Sequence, residues 1–251
     1  MADPMLDVRG LTIGWGEVPL IRNITFRVNR GEVFGILGGS GSGKSTLLRF
    51  LIGLEPVKTG EIDVAGNGPP NLDDGLPPYG VMFQSGALFG SMNVVENVAL
   101  PLEEWTDLPP DAIRAIARAK LRIVGLEAAA EKSPAELSGG MRKRAAIARA
   151  LALEPSLVFL DEPSSGLDPI TSAELDELIL TLSRALGLTV VVVTHQLDSI
   201  FRIADRVLML DRPSRSVIAI GDPRALRDSD DPRVRDFFNP DAVAERIARE
   251  H

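Results

Sequence analysis

"GGSGSGKST", residues 38–46, decides the fold. It fits a glycine, four free positions and then Gly-Lys-Ser/Thr, through Gly38, Gly43, Lys44 and Ser45. The apolar run VFGIL precedes it and TLLRFLIG follows it. The pattern therefore stands between a strand and a helix, which is the context its chemistry needs. Glycines let the backbone curl until successive N–H groups converge on phosphate oxygens, and the helix N-terminus behind them adds partial positive charge. Lys44 is placed to reach β- and γ-phosphates, and the Ser45 hydroxyl to ligate Mg²⁺. Gly38, Gly39, Ser40, Gly41, Ser42, Gly43, Lys44, Ser45 and Thr46 are the expected cradle of a nucleoside triphosphate.

Outward from the cradle, the hydrophobic period changes twice. Residues 5 to 37 read as short strands: MLDVRGLTI, the alternating IRNITFRV, and VFGIL after the turn at Asn29, Arg30 and Gly31. LLRFLIG continues the helix to Gly53, EIDVAG is a further strand, and GNGPPNLDDGLPPYG (66–80) is a loop. From Asp111 to Leu153 apolar residues recur three and four apart, in DAIRAIARAKLRIVGL and MRKRAAIARALAL, which predicts helices. After Pro155, SLVFLDE and LTVVVVTH read as strands buried on both faces of a parallel sheet, with a helix over about 170–186 between them. The order implies an α/β core. The helical stretch of about 87–155 is an insertion in it, the core being about 1–86 and 156–225, and residues 226–251 form a tail.

Three strand ends carry candidate chemistry. SLVFLDEP closes on two carboxylates: Asp161 to hold the metal, Glu162 to orient or deprotonate an attacking water. VVVVTH places His195 at the same sheet edge, within reach of a γ-phosphate. GVMFQSG places Gln84 after a short apolar strand, where it can touch Mg²⁺ or the water. A fourth candidate is ELSGGMRKRA (136–145), where Ser138, Gly139 and Gly140 open a helix with bare backbone. Free N–H groups at a helix start are an anion site. A serine N-cap with a loose turn is the plainer explanation. The expected target is the γ-phosphate of an ATP held by another copy of the chain.

The bulk composition narrows the class. A net charge of −8 argues against a general nucleic-acid binder. Zero cysteines exclude disulfides and thiolate metal sites. No run of 18 apolar residues is present, MADPMLDVRG lacks the basic and apolar regions of a signal peptide, and the zero cysteine count agrees with a cytoplasmic location.

Together these residues resemble the nucleotide-binding subunit of ABC transporters, over about residues 5 to 225. In order, the resemblance includes GGSGSGKST, the loop around Gln84, LSGGM, LVFLDE, SSGLD (164–168) and His195. It implies a P-loop NTPase of ABC ATPase type: a RecA-like core, an antiparallel β subdomain and an inserted α-helical subdomain. It also implies a head-to-tail homodimer with two ATP molecules between cradle and LSGG, Trp15 stacked on adenine, and Asp168 at the dimer seam. The finer resemblance is to the Mla-type ATPases, also called organic-solvent-resistance or Mce-associated. It is carried by GGSGSGKSTLLRFLIGLE, FQSGALFGSMNVVENVALPL and LSGGMRKRAAIARALALEPSLVFLDEPSSGLDP. It implies phospholipid movement between inner and outer membranes, an integral membrane permease, an Mce-domain lipid-binding protein and a small accessory subunit, at the cytoplasmic face of the inner membrane; the alternatives are a transporter for another cargo (amino acid, metal chelate or lipoprotein) and a non-transport ABC ATPase. Gln196 stands where an acidic residue is usual, and the loop 66–80 replaces a short helix. Phe89 and its neighbours are expected to line a groove for a permease helix. In the tail, Phe237 and Phe238 are expected to anchor on the chain's own domain, a partner chain or an accessory subunit, and PDAVAERIARE is expected to form an amphipathic helix.

Overall fold

Strand alternation builds the first sheet. In β2 (Ile21–Val28) Ile21, Ile24, Phe26 and Val28 face inward while the residues between them are exposed. β2 and β4 (Thr59–Val64) flank β1 (Leu6–Ile13) in antiparallel order β2-β1-β4. The computed structural model of the chain describes residues 4–15, 18–71 and 76–240.

The second sheet contains the central strands. β3 (Val33–Gly38), β6 (Leu157–Asp161) and β7 (Thr189–Val193) are buried at every position. This is the pattern of parallel strands covered on both faces. With β5 (Gly80–Met82), β8 (Arg206–Asp211) and β9 (Ser216–Gly221) the order is β5-β6-β7-β3-β8-β9. Only the β8–β9 pair is antiparallel. Ile36 pairs with Val193, and Val193 with Asp161, so β3, β6 and β7 end together. Helix α1 (Lys44–Leu51) leaves the end of β3 and buries Leu47, Leu48, Phe50 and Leu51.

Between β5 and β6 the chain is helical. It contains α2 (Val94–Trp105), α3 (Pro110–Ile123), two short 3₁₀ turns and α4 (Gly139–Ala150). The capping box of Asn93 and Glu96 starts α2. The end of α4 lies hard against β5: a Cβ on Gly80 would fall 2.0 Å from the Ala150 carbonyl oxygen. Only glycine permits that approach.

Asn97 of α2 is fully buried and pins the loop before the helix. Its Oδ1 accepts from Phe89 N at 2.7 Å, and its Nδ2 donates to the carbonyls of Phe89, Met92 and Asn93 at 3.1, 3.2 and 2.9 Å. Asn97→Leu matches the volume but takes the side-chain partner from the Phe89 amide and the Met92 carbonyl, whereas the Phe89 and Asn93 carbonyls keep Met92 N and Asn97 N. It is expected to lower the unfolding free energy by about 3 kcal/mol in urea titration. A loss below about 0.5 kcal/mol would show that the loop does not depend on this side chain.

After α5 (Pro169–Leu186) and β7, the chain adds α6 (Leu197–Ile203), β8, β9, α7 (Pro223–Leu226) and α8 (Pro232–Phe238). Val234 and Phe238 are buried with Leu37, Ile200, Val207 and Met209, and Phe237 packs against the same cluster. Phe238 meets Phe201 edge-on at 5.9 Å. Both phenylalanines thus anchor on their own domain, one of the three destinations expected from sequence. The expected amphipathic helix spans 240–250, and residues 241–250 of it lie outside the described residues.

Candidate active site

The common C-terminal edge of β3, β6 and β7 collects the predicted residues, where open α/β sheets bind ligands. Gly38 ends β3 with φ +149, and a Cβ there would lie 2.5 Å from the Leu210 carbonyl oxygen and 2.6 Å from Ser42 Oγ. Gly43 caps α1 in the left-handed region, φ 97. Between them the loop curls, and Lys44 folds over it. Its Nζ donates to the carbonyls of Gly38 at 2.8 Å and Gly39 at 3.2 Å. Burial holds the Lys44 ammonium below its usual pKa, against the opposing pull of Glu162 and Asp161.

Asp161 is the last residue of β6 and is buried. Burial raises its pKa, the Glu162 charge adds to this, and Lys143 and Lys44 oppose it. Its Oδ1 is buried with no hydrogen-bond partner, as is Ser42 Oγ. An orphaned carboxylate oxygen beside a phosphate cradle fits a hard cation that completes its shell with phosphate and water.

Glu162 leaves the strand at φ 46. A non-glycine residue in this region is strained and is held there by its surroundings. Its amide donates to the Val193 carbonyl at 2.7 Å. Its carboxylate accepts from Thr194 Oγ1 at 3.2 Å and lies 2.7 Å from His195 Nδ1. The Glu162 side chain is 10% exposed and the His195 ring 61%. The carboxylate is therefore fixed at the sheet edge, while the imidazole presents its other nitrogen outward.

Gln84 follows β5 and is exposed. Its carbonyl accepts from Lys143 Nζ at 2.5 Å, and the same ammonium donates to the Glu162 carbonyl at 3.0 Å. Arg149, on the same helix, donates to the carbonyls of Gly86 and Ala87 at 2.8 and 2.7 Å.

Ser138 is the N-cap of α4, its Oγ accepting from Met141 N at 3.2 Å. The plainer reading of this serine thus holds, and its hydroxyl proton remains free to donate. Gly140 is buried: a Cβ there would lie 2.5 Å from Thr171 Cγ2. Asp168 caps α5, accepting from the amides of Ile170 and Thr171 and from the Thr171 hydroxyl, and these bonds lower its pKa. Trp15 follows β1 and is 59% exposed.

Within one chain, then, the cradle, Asp161, Glu162 and His195 share an edge. Among the described residues no hydrogen bond joins Ser138, Gly139 or Gly140 to the cradle. Lys143, Arg149 and Thr194 are additions that sequence reasoning missed. For Lys143 the available signal was a cation on the helix face that carries Ala146, Ile147 and Ala150.

An apolar cavity of about 280 Å³ opens between the core and the insertion. Its walls include Leu54, Tyr79, Phe83, Pro101, Trp105 and Leu153, with Arg149 as a cation. Burial pushes the Tyr79 hydroxyl up to about 12, and that hydroxyl donates to the Ile52 carbonyl at 2.5 Å. Phe89 is exposed and lies outside this wall. Among the described residues no helix is long and apolar enough to cross a membrane.

Comparison with known proteins gives concordant findings. Residues 21–165 match the ABC transporter family. The chain is 42% identical over 240 residues to the intermembrane phospholipid transport system ATP-binding protein MlaF of Escherichia coli K12, covering 94% of this chain and 88% of the relative. It is 41% identical over 239 residues to the probable ribonucleotide transport ATP-binding protein mkl of Mycobacterium tuberculosis H37Rv, covering 93% of this chain and 66% of the relative. Among solved structures, it is similar to a dimeric post-hydrolysis state of the ATP-binding cassette MJ0796 bound to ADP and Pi. The TM-score is 0.76 at 30% identity, covering 87% of this chain and 98% of that one. CbiO1 of Clostridium perfringens, part of an ABC transporter complex, aligns at TM-score 0.79 and 29% identity over 99% of this chain and 100% of its own.

Proposed function

The chain belongs to the ABC transporter family as an ATP-hydrolysing cassette, and from that premise we propose that it powers phospholipid transport between inner and outer membranes. The observation that carries the ATPase reading is the fixed Glu162 carboxylate, bonded to Thr194 and His195 at the edge it shares with the cradle. The cargo reading rests on 42% identity to MlaF over most of both chains. A relative named for ribonucleotide transport is nearly as similar. That follows if the cassette never touches cargo, because selection on its sequence then reports the motor and not the load.

In the proposed cycle Trp15 stacks on adenine, and residues 38–46 enclose the phosphates. Lys44 turns from the Gly38 and Gly39 carbonyls to the β- and γ-oxygens. Ser45, Gln84 and Asp161 would hold Mg²⁺. The bound ion supplies charge neutralisation on the triphosphate. Ser138, Gly139 and Gly140 of a second copy close on the γ-phosphate, excluding water and strengthening each charge contact inside. Glu162 orients and deprotonates the attacking water, and His195 holds the γ-phosphate in line. Asp168 lies at the seam between copies and links the two sites.

The chain needs a separate membrane permease to move anything. The apolar cavity between core and insertion is the proposed seat for its cytoplasmic segment, at the cytoplasmic face of the inner membrane. An Mce-domain lipid-binding protein and a small accessory subunit complete the proposed assembly, and no nucleic acid takes part.

Affinity purification of the tagged chain from its own membranes tests this reading. The expected companions are one integral membrane permease and an Mce-domain protein, with ATP-dependent transfer of a fluorescent phospholipid in proteoliposomes. Trp105→Asp, on the cavity wall, is expected to reduce permease recovery by about tenfold while the folded chain still binds ATP. Co-purification of a permease that moves only a water-soluble solute would overturn the lipid assignment.

A further inference from the structure

Helix α4 carries one buried ammonium into the centre of the site. Lys143 is 7% exposed. Its two hydrogen-bond acceptors are the Gln84 carbonyl, in the loop that follows β5, and the Glu162 carbonyl, at the turn that follows β6. The two carbonyls belong to the loops that carry the proposed metal contact and the proposed water-directing carboxylate. A buried cation costs several kcal/mol unless its surroundings compensate it. Burial lowers the pKa of Lys143, and the negative charges of Asp161 and Glu162 oppose that shift without cancelling it. The same helix begins at Ser138, the residue proposed to reach the second copy's nucleotide.

We propose that Lys143 is a positioning residue that locks the orientation of Glu162 to that of the Gln84 loop and to the position of α4. This rests on the reading of Glu162 as the group that directs water. One ammonium spans three elements, so α4 cannot rotate against the core without losing a bond to one of the two loops. An arrangement in which the helical subdomain has swung away leaves the Glu162 turn released and the carboxylate unaimed. ATP is then hydrolysed only when α4 has closed, and idle hydrolysis in the open arrangement is suppressed. Packing alone does not require a cation at this position, because a methionine of similar length would fill the same space.

The absence of cysteine from the chain makes a chemical test available. Lys143→Cys and Lys143→Met are prepared in the full chain. The cysteine variant is alkylated in denaturant with 2-bromoethylamine, which rebuilds an ammonium at nearly the original reach. It is then refolded and assembled with the permease beside an identically refolded unsubstituted chain. Both neutral variants are expected to lower kcat by about tenfold or more, with KM for ATP changed by less than about threefold. Amide exchange at residues 84–87 should accelerate. Aminoethylation should restore kcat to within about threefold and slow the exchange again. Neutral variants with unchanged kcat, or an aminoethylated chain that regains thermal stability without regaining turnover, would overturn the proposal. Glu162→Gln is run alongside. If that variant hydrolyses normally, the reading of Glu162 fails, whereas the exchange result still reports whether Lys143 holds the loop.

Discussion

Glu162→Gln is expected to cut ATP turnover by about 10³-fold, the scale of a lost general base, while ATP binding is kept or tightened. The carboxamide has the same shape and can still accept from Thr194 Oγ1, so the strained turn at φ 46 is retained. What disappears is the capacity to take a proton from water. The substitution also removes a negative charge that lies near Asp161 and would lie near the triphosphate. Ground-state repulsion falls as chemistry stops, so ATP should be trapped between two copies. Phosphate release by the permease complex gives the first readout, and dimer recovery with bound ATP on gel filtration the second. Normal hydrolysis by this variant would assign the base elsewhere.

The second large effect concerns the site that two copies are proposed to complete together. Ser138→Asp keeps the N-cap of α4, because aspartate caps as well as serine. It places a carboxylate where the γ-phosphate of a neighbouring copy is proposed to sit. Turnover is expected to fall by about 10²-fold or more, as for loss of an oxyanion donor, with folding unchanged. Lys44→Ala should be equally inactive through loss of the ammonium proposed to reach the β- and γ-phosphates. Mixed together after subunit exchange, the two dead variants should recover roughly a quarter of the native rate, since half the dimers then pair one intact cradle with one intact serine. A mixture as inactive as its components would mean that each chain completes its own site.

The cradle was legible because its chemistry is local. Gly38 and Gly43 serve backbone angles that few other residues adopt, and the flanking strand and helix are visible in the runs on either side, 33–37 and 46–53. Asp161, Glu162 and His195 were legible as the ends of apolar runs, and the parallel pairing of β6 with β7 brings those ends level. The contact between Glu162 and His195 was not legible, because it depends on strand register and on the left-handed turn. Lys143 stayed hidden for a related reason. Helical spacing assigns a face but not what a long side chain reaches across a subdomain boundary. The cavity wall draws on segments around Leu54, Tyr79, Trp105 and Leu153, whose convergence is a tertiary result. Phe89, the residue singled out from its apolar neighbourhood, does not line this cavity, and its backbone is bonded to Asn97. Between His195 and the tail no element was assigned from sequence, and there the structure adds α6, the β8–β9 hairpin and α7.

The backbone contact between Gly80 and the Ala150 carbonyl restricts how this cassette can be recombined with its relatives. A chimera that imports a foreign helical insertion must bring a helix whose last turn ends at the same height above β5, or the graft will meet the strand before its side chains can interlock. Crossovers placed on either side of that contact separate two surfaces shaped to one another. Shuffled libraries should therefore yield few working hybrids unless both segments come from a single parent.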